Sequence, residues 1–145
     1  MKKILKLFSM IGISTIMVGC AIETVPFESK KLNQEAQGIS LVRETPYGCK
    51  VLGEVEGKDG IPAGETIPFQ IIYNHATFLQ AEEGAMNDAR NEAAKVVGNS
   101  KKRTVLRVID RNIYCHGGQC PPNLSDNNIV KAVKVRAQVF ECDRR

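Results

Sequence analysis

Five cysteines and two histidines are the side chains best suited to chemistry in this 145-residue chain. Cys115 and Cys120 enclose His116-Gly117-Gly118-Gln119, and a thiol-imidazole-thiol group of that kind brings zinc or redox chemistry to mind. The C-x4-C spacing is not that of a zinc knuckle, and a single nearby histidine leaves a tetrahedral set incomplete. Thioredoxin-type exchange uses C-x-x-C at a helix start, where the thiol pKa is lowered, and neither cysteine stretch offers that. An oxidising compartment would close Cys115 and Cys120 into a structural disulfide instead. His116-Gly117-Gly118 has the form of an esterase oxyanion loop, but no G-x-S-x-G elbow accompanies it. His75, after Asn74, reads as a loop or capping residue, and Asp88, Arg90, Asn91 and Glu92 read as a solvated helix face. Phosphate loops, dinucleotide fingerprints and paired-carboxylate sites do not occur. The expectation is therefore a non-enzymatic chain with no catalytic residue, no metal and no cofactor.

Cys20 stands in a different setting. Met1-Lys2-Lys3 is a positive start, and Ile4 to Val18 is a mostly apolar stretch too short for a stable transmembrane helix. The stretch ends in Met17-Val18-Gly19-Cys20, which resembles the lipobox of bacterial lipoproteins, with Met17 where Leu is usual. In proteins of that kind the thiol takes a diacylglyceryl group and the freed amine a third acyl chain. At ~0.8 kcal/mol per buried methylene, several chains make a lasting anchor where one would be marginal. Ala21, in place of Asp, implies passage to the outer membrane by the sorting rule of enterobacterial lipoproteins. Consuming Cys20 also leaves Cys49, Cys115, Cys120 and Cys142 as an even set.

The charge balance fits this division. Twenty basic residues against sixteen acidic ones give +4, but Lys2, Lys3 and Lys6 lie in the first nineteen residues, which carry no acid. Without that segment the balance is about +1, short of the excess expected of a nucleic-acid binder. Residues 1–19 are thus expected to be a signal peptide and 20–38 a lipidated cysteine with a flexible tether. Residues 39–145 are expected to form one periplasmic domain. The tether, polar, aperiodic and broken by Pro26, would reach roughly 25 Å.

Elements that could position the four cysteines follow from the patterning. Ile39, Leu41 and Val42 suggest a short strand. Cys49 to Glu56 alternates, with Cys49, Val51, Gly53 and Val55 on one face and a turn at Gly57-Lys58-Asp59-Gly60. Residues 61–76 are open between strand and covering loop. Thr77-Phe78-Leu79-Gln80 has capping-box form, and Leu79, Met86, Ala89, Ala93 and Val97 then recur at helical spacing up to Gly98. Alanines on that stripe allow close approach to a sheet. Thr104 to Tyr114 reads as a strand with imperfect alternation, which predicts a bulge or burial on both faces. Ile129 to Cys142 alternates well, with Val133, Val135, Ala137 and Val139 inward. The fold expected is α+β: one principal helix packed on a small mixed sheet, in the order strand-helix-strand-strand, stapled by disulfides.

That topology discriminates among the three possible pairings. Strands 49–56 and 104–114, joined by a helical crossover, run parallel, and strand 129–142 returns to their common beginning. Cys142 should then meet Cys49, and Cys115 should meet Cys120 at the other end. Strict alternation nevertheless places Cys49 and Cys142 on opposite faces, so the first bond needs a local twist or frayed end.

Pro46-Tyr47-Gly48-Cys49-Lys50-Val51-Leu52-Gly53-Glu54-Val55, followed by Asn87-Asp88-Ala89-Arg90-Asn91-Glu92-Ala93-Ala94 and Gly98-Asn99, carries a resemblance. Together with Cys20, these runs resemble a family of small proteobacterial lipoproteins of unknown function over about residues 39–142. The layout is more distantly similar to the disulfide-bearing domain of the outer-membrane lipoprotein that senses envelope damage for the Rcs phosphorelay. The cysteines of that protein fall differently around its Gly-Glu-Val strand, so its bond pattern and role do not transfer. The resemblance implies a fold and a compartment, that of an outer-membrane lipoprotein facing the periplasm, and no activity. The function expected is a non-enzymatic interaction or envelope-stress module, held by acyl chains on Cys20, that presents its domain to an envelope protein and not to nucleic acid. The alternative is a small-ligand binder or hydrolase using the His116 loop.

Overall fold

A computed structural model describes residues 23–60, 71–73 and 75–143. The expected signal peptide (residues 1–19) and Cys20 lie outside the described residues, as do residues 61–70. In chain order the elements are β1 (Glu23–Val25), a single 3-10 turn (Gln34–Ala36), β2 (Ser40–Val42), β3 (Cys49–Gly60), β4 (Ile71–Tyr73), α1 (Phe78–Val97), β5 (Arg103–Tyr114) and β6 (Ala132–Cys142). β1 and β4 pair in parallel as a two-stranded sheet. The principal sheet has the order β2-β5-β6-β3: β2 is parallel to β5, and β6 is antiparallel to both its neighbours. One helix on a four-stranded mixed sheet is the α+β architecture the patterning predicts. β3 and β5 run parallel as expected, with β6 inserted between them.

Local chemistry starts and stops the helix. The Thr77 hydroxyl accepts the Gln80 amide at 3.3 Å, and the Gln80 side chain accepts the Thr77 amide at 3.0 Å, so two otherwise unpaired N–H groups are satisfied reciprocally. Gly98 ends the helix with φ +58°, a conformation favoured by glycine. The buried stripe is Phe78, Ala81, Gly84, Ala85, Ala89 and Ala93. Leu79, predicted to lie on that stripe, is half exposed. Phe78 takes the inward position one residue earlier, and Arg111 lies over its ring.

Small residues let α1 sit almost on the backbone of β3. A Cβ on Gly57 would lie 2.1 Å from the Ala85 carbonyl oxygen and 2.3 Å from the Ala89 nitrogen. This contact corrects the turn expected at Gly57-Lys58-Asp59-Gly60: the strand continues through Gly60, paired with β6 as far as Ala132. Gly57 is glycine for closeness to the helix, not for a reversal. On β6, Val133, Val135, Ala137 and Val139 are all fully buried under α1, as their alternation predicts. Full burial of a valine side chain is worth about 1.5–3 kcal/mol, so this strand anchors the core.

The opposite face holds a second, smaller cluster of Val105, Phe140 and Cys142, with Val42 and Cys49 packed against it. The β2–β3 connection must pass from one edge of the sheet to the other, and Val42 and Cys49 stand at its two ends. β5 has both features expected of it: a register shift between Val108 and Asp110, and burial of Thr104, Val105 and Leu106 in succession on both faces. Farther along the outer face, Glu56 pairs with Lys134 at 2.8 Å and Glu54 with Arg136 at 3.9 Å. Among the described residues no helix is long and apolar enough to cross a membrane.

Candidate functional site

The structure brings the four domain cysteines together in the pairs expected. Cys49 and Cys142 are register partners on β3 and β6 with Cα atoms 4.3 Å apart, the spacing of a non-hydrogen-bonded antiparallel pair. The face conflict seen in the sequence is resolved by a β-bulge between Val51 and Gly53. One extra residue reverses the phase of the strand. Val55 therefore faces α1, while Cys49 shares the outer face with Cys142 and Phe140. At the opposite end of β6, Cys115 and Cys120 are bonded with Cα atoms 5.2 Å apart. Their thiols are committed to each other.

The Cys115–Cys120 loop holds His116 against His75, with ring centroids 4.4 Å apart. Nothing in the sequence pattern links the two histidines. They meet because Val130 donates its amide to the Ala76 carbonyl and Phe78 donates its amide to the Asn128 carbonyl, bringing the start of α1 beside the β5–β6 excursion. Both rings are exposed. Among the described residues no three His, Cys, Asp or Glu side chains converge as a metal-ligand set.

A denser polar constellation lies where the sequence predicted only a solvated helix face and a tether. Residues 29–37 run along α1 from its start toward its end as a strap. Ser29 donates its hydroxyl to the Gln80 carbonyl at 2.8 Å, and Lys30 donates its amide to Asp59 Oδ2 at 2.8 Å. Asn87 donates to the Lys30 carbonyl at 3.0 Å. Asn91 donates to the Lys31 carbonyl at 3.0 Å and accepts the Asn33 amide at 2.8 Å. Asp88 Oδ2 receives both the Lys30 ammonium and the Lys58 amide at 2.9 Å. The flexible tether expected over 20–38 is thus corrected in its second half. Ala36 is fully buried, Phe27 packs against the core, and fixed structure begins well before Ile39. Only glycine at 84 admits the Asp59 carboxylate between helix and sheet, since a Cβ there would lie 1.7 Å from Asp59 Oδ2.

Asp59 is the one buried acid among the described residues. Burial pushes its carboxyl above the ordinary 3.8, outweighing the Lys30 and Gly60 amides and the Lys30 charge that favour the anion; Asp88 adds to the rise. A carboxyl raised on folding favours the folded state while protonated. Its contribution is complete below about pH 3.8 and is lost as the pH climbs through the raised value. Asp59→Asn, neutral and of similar shape, should remove that loss. In urea unfolding, the stability of the variant minus that of the wild type should become more favourable between about pH 3.5 and pH 7. A difference that stays flat, or moves the other way, means that the amide donors dominate burial.

No family model, curated protein or solved structure matches the chain.

Proposed function

We propose that this chain is an outer-membrane lipoprotein whose periplasmic domain is a non-enzymatic interaction or envelope-stress module. The observation that carries the reading is the cysteine pairing. Two disulfides consume Cys49, Cys115, Cys120 and Cys142, which leaves Cys20, directly after Val18-Gly19, as the single cysteine without a partner in the domain. A pair of structural disulfides fits an oxidising compartment, and lipidation accounts for the odd thiol. The apolar run before Cys20 supports the same assignment. With residues 29–37 docked on α1, less of the expected 20–38 tether separates the domain from its bilayer than the sequence suggests.

Metabolic labelling with a clickable palmitate tests the anchor. The wild type should carry label in the outer-membrane fraction, and Cys20→Ser should lose it. Equal labelling of the two would end the lipoprotein reading. The alternative, a ligand binder or hydrolase built on His116, draws its support from the second imidazole beside it.

A further inference from the structure

Most of the contacts that hold the strap read its backbone and not its side chains. Asp59 accepts the Lys30 amide, Asn87 and Asn91 donate to the carbonyls of Lys30 and Lys31, and Asn91 accepts the Asn33 amide. Arg90 reaches the Gln37 carbonyl. A side-chain amide offers a donor and an acceptor together, so Asn91 brackets an extended segment much as the edge of a strand does. Side chains of the strap are read at two places, the Ser29 hydroxyl by the Gln80 carbonyl and the Lys30 ammonium by Asp88. Apolar anchoring is slight: among residues 29–37 only Ala36 is buried. A segment held by half-exposed polar bonds and little apolar contact belongs to the low-stability part of a fold, the part that opens first.

We propose that the face of α1 bearing Asn87, Asp88 and Asn91, with Asp59 at its margin, is a binding groove for an extended, lysine-bearing segment of a partner protein, and that residues 29–33 are its resident, competing occupant. This rests on the reading of the domain as an interaction module and names what the module takes. The chemistry of the occupant defines the ligand: an extended backbone in register with Asn87 and Asn91, and an ammonium group opposite Asp88. Release of residues 29–33 would open the groove and leave them as a loop between Phe27, packed on the core, and the fully buried Ala36.

A fluorescein-labelled peptide with the sequence of residues 27–37 is the probe, titrated into the purified full chain and followed by anisotropy. Apparent affinity scales with the fraction of molecules whose groove is open. Lys30→Glu reverses the charge facing Asp88, and Lys30→Pro removes the amide donated to Asp59. Loss of a hydrogen bond to a charged acceptor shifts an equilibrium by about tenfold or more. Each variant should therefore take up the peptide at least ~10-fold more tightly than the wild type. Adding Asn91→Ala to either should return binding to the wild-type level or below, and a peptide carrying glutamate at the Lys30 position should bind more weakly than the parent.

Folded Lys30 variants that gain no affinity, or a gain indifferent to Asn91→Ala, overturn the groove. So does loss of fold in both Lys30 variants, because the strap would then be an integral part of the domain. Crosslinking in the envelope from the 115–120 loop and from β6 addresses the module reading separately. A partner captured there while the peptide assay fails leaves the module standing and removes only the groove.

Discussion

Replacing Cys49 and Cys142 together with alanine should cost the domain about 4–5 kcal/mol, the larger of the two disulfide effects by roughly twofold. The bond joins residues 93 apart in sequence, and in the chain-entropy model a closed loop near that length restrains the unfolded chain by close to the upper end of the usual range. The Cys115–Cys120 bond spans only five residues, for which the same relation gives about 2 kcal/mol. Native packing acts in the same direction. Cys142 is buried against Val105 and Phe140, so truncation there also opens a small void. Domains of this size have about 5–15 kcal/mol in total, so the Cys49→Ala/Cys142→Ala variant should sit near its unfolding threshold while Cys115→Ala/Cys120→Ala stays folded. Urea unfolding of both double variants decides the order. An equal loss, or a larger one for the short loop, would contradict the dominance of the long-range staple.

What was legible in the sequence was governed by local chemistry or by topology. Thr77 and Gln80 announce a capping box because both partners lie within one turn, and Gly98 marks the helix end for a similarly local reason. The alternation of Val133 to Val139 is legible because one face of β6 is buried along that whole stretch. The disulfide pairing follows from strand direction alone. The illegible parts depend on a partner distant in sequence. Nothing near Leu52 declares a bulge, yet the bulge is what turns Cys49 to the face of Cys142. Gly57 and Gly60 have turn composition, but Gly57 answers to the backbone of Ala85 and Ala89, more than twenty-five residues away. Asn87, Asp88 and Asn91 look like any solvated helix surface, because most of what they bind is backbone, which leaves no trace in side-chain pattern. The meeting of His75 and His116 likewise depends on main-chain bonds between 76–78 and 128–130.

The close approach of α1 to the backbone of β3 yields the second large effect. Gly57→Ala places a methyl group 2.1 Å from the Ala85 oxygen and 2.3 Å from the Ala89 nitrogen, distances no packed carbon tolerates. Both atoms are backbone, so no rotamer change can relieve the clash. α1 must lift from β3, and the alanine stripe at Ala81, Ala85, Ala89 and Ala93 loses contact with the sheet over several turns. Overpacking usually costs about 1–3 kcal/mol, and a clash between two rigid backbones belongs at or above the top of that range. Gly84→Ala provides the contrast, because the three atoms nearest its methyl group, Oδ2, Cγ and Cβ of Asp59 at 1.7, 2.6 and 2.9 Å, all belong to one side chain. Deleting that side chain as far as Cβ should make room. In the Asp59→Gly background, Gly84→Ala should lose most of its cost, and the gain in helix propensity of up to about 1 kcal/mol should then emerge. Gly57→Ala should find no such relief in the same background, since the three atoms nearest its methyl group all belong to the Ala85 and Ala89 backbone. Double-mutant cycles from urea unfolding should therefore show strong coupling for Asp59 with Gly84 and near-additivity for Asp59 with Gly57. A Gly57→Ala variant that loses less than about 1 kcal/mol would mean that the helix can rise from the sheet freely, and the close-packed contact would then not be what positions the strap groove over β3.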